Sequence, residues 1–463
     1  MKKKYDVIIV GAGPAGIFTA LEIVHNSSLE TLILEKGRDI HERVCPIIGT
    51  NRVCPPCRPC SLVSGWGGAG AFSDGKLTLS PHVGGNLKDY LGLERTTELL
   101  NYADSTYLNF GATDHLYGVA DEVEGLQRRA SLAELSLVPV PLRHVGTERC
   151  RQVLLAIRDH LQGRVDSYIG TEAKSIVVHD GKVQGVITTD DQHLECRYLV
   201  LAPGREGAEW LVRESQRLGL TLHNNAVDVG VRVEVPAAVL EEITSILYEP
   251  KLEYYSPTFD DRIRTFCVCP HGEVTMESTA GSDPVTTVNG HSYADRKTNN
   301  TNFALLVSTT FTEPFKDPIG YGRYLTRLAN LLSHGVLVQR LGDLMEGHRS
   351  TPARIQRGIV QPTLTSATPG DLSFVLPYRH LKGIIEMLEA MDRLAPGVAS
   401  RHTLLYGVEV KFYSARLQLT SNLESQIAGL FAAGDGAGVT RGLTQASASG
   451  VVAAQEIIRR TTG

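Results

Sequence analysis

The chain opens on an apolar run, Val7, Ile8, Ile9 and Val10, of the kind that forms a strand buried on both faces. Gly11, Gly13 and Gly16 follow, and the residues after them are apolar at helical spacing. A second run, Leu32, Ile33 and Leu34, ends in Glu35. This order predicts a strand–turn–helix–strand unit. A helical pattern returns over 94–136 and 147–162, where Val153, Leu154, Ile157 and Leu161 share one face. Strands are expected at 165–169, 174–179, 183–188 and 198–201, with His179-Asp180-Gly181-Lys182 as a hairpin turn. From about 226 to 312 strands and polar loops dominate, notably 227–235 and 303–310. Helices are expected at 321–332 and 380–394, and a strand at 404–413. The ending repeats the opening order, with a strand at 429–433, a Gly434-Asp435-Gly436 turn and a helix at 443–460.

The pattern predicts an α/β protein. Its Rossmann-like domain, with a parallel central sheet, is expected from 1–80, 145–225 and 400–463. A helical insertion is expected at 81–144 and an inserted mixed α/β substrate or cap domain at 226–399. A chain of 463 residues exceeds one ordinary core, which agrees with more than one domain. Net charge is −5, with no basic tail or stripe, so no nucleic-acid partner is expected. No apolar run reaches the length of a membrane span. The three early lysines lead straight into the first strand, so no signal peptide is expected. Eight cysteines make no disulfide scaffold, and reduced thiols in a cytoplasmic setting are the expectation.

The first unit carries chemistry. In G-x-G-x-x-G spacing Gly11 makes the tight turn, Gly13 admits a pyrophosphate and Gly16 lets helix and strand pack closely. The helix N-terminus offers N–H groups to phosphate, and Glu35 can accept from a ribose diol. Three more segments fit one dinucleotide: the glycine-rich stretch 65–76, the strand ending in Ala202-Pro203-Gly204, and the 430–436 strand and turn. There Asp435 can hold a ribityl hydroxyl, and the following helix can aim its positive end at a flavin.

With these segments the chain resembles the FAD-dependent oxidoreductases of the glutathione-reductase-like flavoprotein superfamily. More closely it resembles an uncharacterised bacterial family of FAD-dependent (NAD-utilising) dehydrogenases. The stretches GWGGAGAFSDGKL (65–77), CPHGEV (269–274), GVEVKFYSAR (407–416) and GDGAGVTRGLTQASASG (434–450) carry the likeness. The resemblance implies FAD at Gly11, Gly13, Ala15 and Gly16, with Glu35, Lys36 and Arg43 on the adenosine and phosphate side. It implies Gly67, Gly68, Gly70, Ser73, Asp74 and Lys76 along the ribityl and ring region. Ala202, Gly204, Gly434 and Asp435 fall beneath the nucleotide, and Gly442, Leu443, Thr444 and Gln445 present N–H groups to the pyrimidine edge. No second glycine fingerprint lies between 80 and 430, so NAD(P)H, if it serves, visits transiently.

The cysteines leave alternatives open. Cys54, Cys57 and Cys60 stand in C-x-x-C-x-x-C spacing, with Cys45 before them. Four thiolates could hold zinc or an iron–sulfur cluster, an adjacent pair could be a redox disulfide, and free thiols are the remaining case. Cys267 and Cys269 would share a face if they lie on a regular strand. Candidates for acid–base or substrate contact are His271, Glu409, Lys411, Tyr413 and Arg441, the middle three alternating on one strand. The expected activity is hydride transfer between flavin N5 and a small organic substrate, with donor or acceptor open. The alternatives are an electron-transfer or redox-sensing protein working through its cysteines, and a flavin-dependent modifier of RNA or a cofactor precursor.

Overall fold

The opening run lies in the strand Lys4–Val10, paired in parallel with Thr31–Glu35 on one side and His193–Leu201 on the other. Asp166–Ile169 extends the sheet beyond Thr31–Glu35, and Leu430–Ala432 pairs with the end of His193–Leu201. All these pairings are parallel, and continuous apolar runs are what a sheet covered on both faces requires. The hairpin of Ala173–His179 and Lys182–Thr188 completes seven strands in antiparallel fashion. At its turn Asp180 and Gly181 both take positive φ, 50° and 71°, which matches the strands' twist.

The computed structural model describes residues 2–46, 57–73, 75–119, 121–223, 227–278, 284–293, 296–309, 317–411 and 415–462. The chain forms two units, one of Met1–His115, Leu142–Asn225 and Ser414–Gly463, the other of Leu116–Pro141 and Ala226–Tyr413. The segment 81–144, expected as a separate helical insertion, is divided between them. The strand Leu404–Lys411, expected with the nucleotide domain, belongs to the second unit. Among the described residues no helix is long and apolar enough to cross a membrane.

In the first unit the helices Pro14–Asn26 and Leu443–Thr462 cross at backbone distance. A Cβ on Gly450 would lie 2.0 Å from the Ala15 carbonyl oxygen. Thr19 Oγ1 donates to both Ala15 O and Gly450 O. Small residues along 446–454 make this approach possible, and it brings the two ends of the chain together.

The second unit is built on an eight-stranded sheet. Its centre is Leu404–Lys411, Val227–Pro236, Asn300–Thr309 and Arg262–Cys269, all antiparallel neighbours. Val227, Val229, Val231, Val233 and Val235 face one apolar core with the helices Ala237–Ile246, Pro318–Leu332 and Tyr378–Leu394. The alternate positions Asp228, Arg232 and Glu234 are polar, and they are buried as well.

Candidate functional site

The three fingerprint glycines are not equivalent. Gly11 has φ +106°, and a Cβ there would sit 2.1 Å from the Ala202 carbonyl oxygen. A Cβ on Gly16 would sit 1.9 Å from Gly11 O. Both are therefore required by the protein's own packing. Gly13 is extended, with φ −81° and ψ −178°, and its nearest neighbour to a Cβ is Gly68 Cα at 3.9 Å. Among the described residues a Cβ at Gly13 would make only this ordinary contact, so packing there does not demand a glycine as it does at Gly11 and Gly16. The N–H groups of Gly13, Ala15 and Gly16 have no acceptor among the described residues, while Ile17 N already bonds Gly13 O. A helix N-terminus with this open approach is suited to a diphosphate.

Glu35 is buried at the end of its strand and ties three segments together. Its Oε2 accepts from Ala12 N at 2.9 Å, and Oε1 from Gly37 N at 2.7 Å and Gly65 N at 2.9 Å. Oε2 keeps one lone pair for a ribose hydroxyl. Lys36, expected on the cofactor, forms an ion pair with Glu206, whose carboxylate also accepts from Ser64 Oγ at 3.0 Å. Arg43, expected at the phosphates, is turned inward. Its guanidinium donates to the carbonyls of Ser61, Leu62, Trp66 and Gly68 at 2.6–3.0 Å, using four of its five N–H groups. Burial pushes its pKa down to about 10, opposed by the charge of Glu35. Arg43 is a clip for the glycine-rich loop, because buried carbonyls that lie in no sheet need a donor.

That loop reaches the fingerprint directly, since Gly67 N donates to Ala12 O at 2.8 Å. Gly68 packs on Gly13, and Gly70 faces Leu443. Ser73 closes the following turn, donating to Gly70 O and accepting from Gly75 N, and Lys76 begins a short strand against Leu142–His144. Asp74 and Cys54 lie outside the described residues, as does Tyr413. Across the sheet ends, Ala202 N bonds Val10 O, and Gly204 backs closely on Gly436 while its own Cβ direction is open. Gly434 N is held by Ser449 Oγ at 2.9 Å. Asp435 Oδ1 accepts from Thr440 Oγ1 at 2.7 Å, and Oδ2 lies 3.7 Å from Arg205 Nε.

At the start of Leu443–Thr462, Ala446 N bonds Gly442 O, and the N–H groups of Leu443, Thr444 and Gln445 have no acceptor among the described residues. Thr444 is 1% exposed, yet its Oγ1 has no hydrogen-bond partner among the described residues. A buried hydroxyl without a partner costs about 1–3 kcal/mol, so it marks a place where a polar ligand belongs. The Gln445 side chain is spent on Val83 O and Leu87 N, so only its backbone N–H is offered. Arg205, Arg43's loop carbonyls and Thr440 were not foreseen from sequence. Only Arg205 carried a signal, standing next to Gly204.

The acid–base candidates fall into two groups. Arg441 lies in the first unit, its N–H bonded to Gly84 O at 2.7 Å. The others lie in the second unit. Glu409 is fully buried between Lys411 Nζ at 2.9 Å and Arg232 Nη1 at 3.4 Å. Burial alone would lower the Lys411 pKa, but Glu409, Cys267 and Glu277 outweigh it and raise it. Glu409 and Lys411 do share a face, as their spacing required. Cys267 and Cys269 do not follow simple alternation, because a bulge shifts the register between Phe266 and Cys269 and Cys267 takes φ +43°. Cys267 is half-buried, and Cys269 is buried with its Sγ 3.2 Å from Arg232 Nη2. Arg232 escaped the sequence reading, though alternation with Glu234 was its signal. His271 sits in a turn at φ +50°, its Nδ1 2.9 Å from Thr298 O. Among the described residues no three His, Cys, Asp or Glu side chains are grouped to hold a metal. Cys45 and Cys60 are half-buried and Cys57 is exposed.

Residues 226–412 match the family model "FAD-dependent protein, C-terminal domain-like", and residues 364–463 match "Glucose inhibited division protein A". A Clostridium beijerinckii protein described as uncharacterized is 27% identical over 479 residues, covering 98% of this chain and 80% of that one. Among solved structures, glycine oxidase from Geobacillus kaustophilus is similar at 13% identity and TM-score 0.40, over 99% of this chain and 95% of that one. A 3-ketosteroid-delta4-(5alpha)-dehydrogenase from Rhodococcus jostii RHA1 is similar at 14% identity and TM-score 0.44, over 99% and 97%.

Proposed function

We propose that this FAD-dependent oxidoreductase moves a hydride between flavin N5 and a carbon of a small organic substrate. FAD, when bound, supplies two-electron chemistry that no side chain offers. The chain's own residues bind and orient it. The N–H groups of Gly13, Ala15 and Gly16 receive the diphosphate, and the free lone pair of Glu35 Oε2 receives the adenosine ribose. Asp435, steadied by Thr440 and Arg205, takes the ribityl side. The N-terminus of Leu443–Thr462, with Thr444 Oγ1, meets the ring's polar edge and favours negative charge there.

On the second unit's sheet the buried polar groups are paired with one another. Glu409 is held by two cations and is poorly placed to exchange a proton. Lys411 and Cys267 are each partly exposed. Glu409, Cys267 and Glu277 keep Lys411 cationic.

The observation that carries the reading is Gly13, a glycine the fold does not need. Gly13→Val should give a folded protein that has lost its yellow colour, while the parent binds FAD and bleaches under anaerobic NADH, NADPH or dithionite. A Gly13→Val protein with full FAD occupancy would refute the placement.

A further inference from the structure

The cysteine motif is not used by the cofactor site, yet it stands at the head of the loop that builds it. Cys57-Arg58-Pro59-Cys60 has the C-x-x-C spacing of exchanging dithiols. Cys57 is exposed and Cys60 half-buried, so Cys57 is the more open of the two to an incoming disulfide. Cys60 O then accepts from Val63 N and Ser64 N, so the turn it opens is ordered. From there the chain enters the carbonyls gripped by Arg43, and the same guanidinium interacts electrostatically with Cys60. The loop ends at Gly65 on Glu35 and Gly67 on Ala12. A change at Cys60 thus has a short, hydrogen-bonded route to the fingerprint turn.

We propose that Cys57 and Cys60 form a dithiol–disulfide exchange site whose co-reactant is a disulfide, and that its redox state adjusts how tightly the cradle holds its cofactor. Cys57 Sγ, as thiolate, attacks one sulfur of the incoming disulfide and releases the other as a thiol. Cys60 Sγ then attacks Cys57 Sγ, forming the internal S–S bond and releasing the second thiol. Two thiols of the protein are oxidised as one disulfide is reduced, and the two protons pass to the released thiols. Arg43 is a positioning residue here, since it grips the carbonyls of Ser61 and Leu62, which directly follow Cys60.

The exchange is tested on the FAD-loaded protein in glutathione buffers from fully reduced to fully oxidised, with alkylation and peptide mapping. Two thiols should become protected reversibly, and the bridged peptide should join Cys57 to Cys60. Cys60→Ser should trap glutathione on Cys57, and Cys57→Ser should trap little on Cys60. Pairing of either cysteine with Cys45 or Cys54, absence of any bridge, or stoichiometric zinc released on alkylation would overturn the exchange site. The second half rests on the cofactor reading above, and FAD release from the oxidised and reduced forms should differ by at least about fivefold, a typical coupling between sites. Equal release rates would overturn that half. The mapping does not depend on FAD, so its failure and the failure of the cofactor reading are distinguishable.

Discussion

In the first unit the central strand is buried because residues 7–10 are apolar without interruption. In the second unit the central strand reads VDVGVRVEV, and all nine positions are buried. One sheet keeps polar groups at the strand ends, where glycines and helix starts present N–H groups outward. The other carries them through its middle and pairs them with one another. Arg232 meets Glu409, Asn302 and Cys269, and Glu234 meets Tyr406, Asn300 and Thr363. Alternation says which residues share a face. It does not say whether that face sees water, because a charge can leave water when its partners come with it.

The largest expected effect tests that pairing. Glu409→Gln keeps the side chain's shape but leaves Arg232 and Lys411 without their shared anion. Breaking a buried pair from one side costs about 3–5 kcal/mol, and denaturant unfolding followed by circular dichroism should show a loss of that size. A loss under about 1 kcal/mol would mean that the face behaves as a solvated surface, and the contrast between the sheets would fail.

A second test uses the opposite side of the same sheet. His380 is buried, with Nε2 2.9 Å from Thr309 Oγ1 and Nδ1 without a partner among the described residues. Burial pushes its pKa down to about 4, with Asp261 opposing and Arg379 adding to the shift. Above the unfolded value of about 6.5 both states are neutral and the stability is fully present. As pH falls from there to about 4 the unfolded chain binds a proton that the folded one refuses. Stability should drop by roughly 3 kcal/mol over that window and level off below it for this group. His380→Asn should flatten this part of the stability–pH curve, and an unchanged curve would show that the imidazole reaches solvent.

Much of the first unit was legible because its signals are local. Gly11 and Gly16, the 179–182 turn and the apolar strands each act within a few residues. Glu35 could be placed at a strand end, but not its three N–H partners, which come from residues 12, 37 and 65. Arg43 was misread because an arginine after an acid offers no sign of the carbonyls that fold around it. The second unit was legible as strands and helices only. Its bulge at Cys267 and the Arg232–Glu409–Lys411 cluster join residues up to 177 positions apart. The break of unit at residue 414 has no local mark, since the pattern of Leu404–Lys411 gives a strand without saying which sheet it joins.

The smallest effect returns to the cradle and separates ligand from scaffold by sign. If Thr444 Oγ1 is unpartnered until a cofactor arrives, the hydroxyl is a burden to the apoprotein and a contact for the holoprotein. Thr444→Val has nearly the same shape and removes only that group. The apoprotein should gain about 1 kcal/mol of stability, because an unpaired buried polar atom is gone. FAD should bind more weakly by a similar amount, a severalfold rise in Kd measured by fluorescence quenching. Thr444→Ser should restore the affinity. A hydroxyl that serves the scaffold would give the reverse pattern, with a less stable apoprotein and an unchanged Kd. The two outcomes have opposite signs in stability and only the first moves the Kd, so even this modest effect decides whether the start of the last helix is built for a ligand.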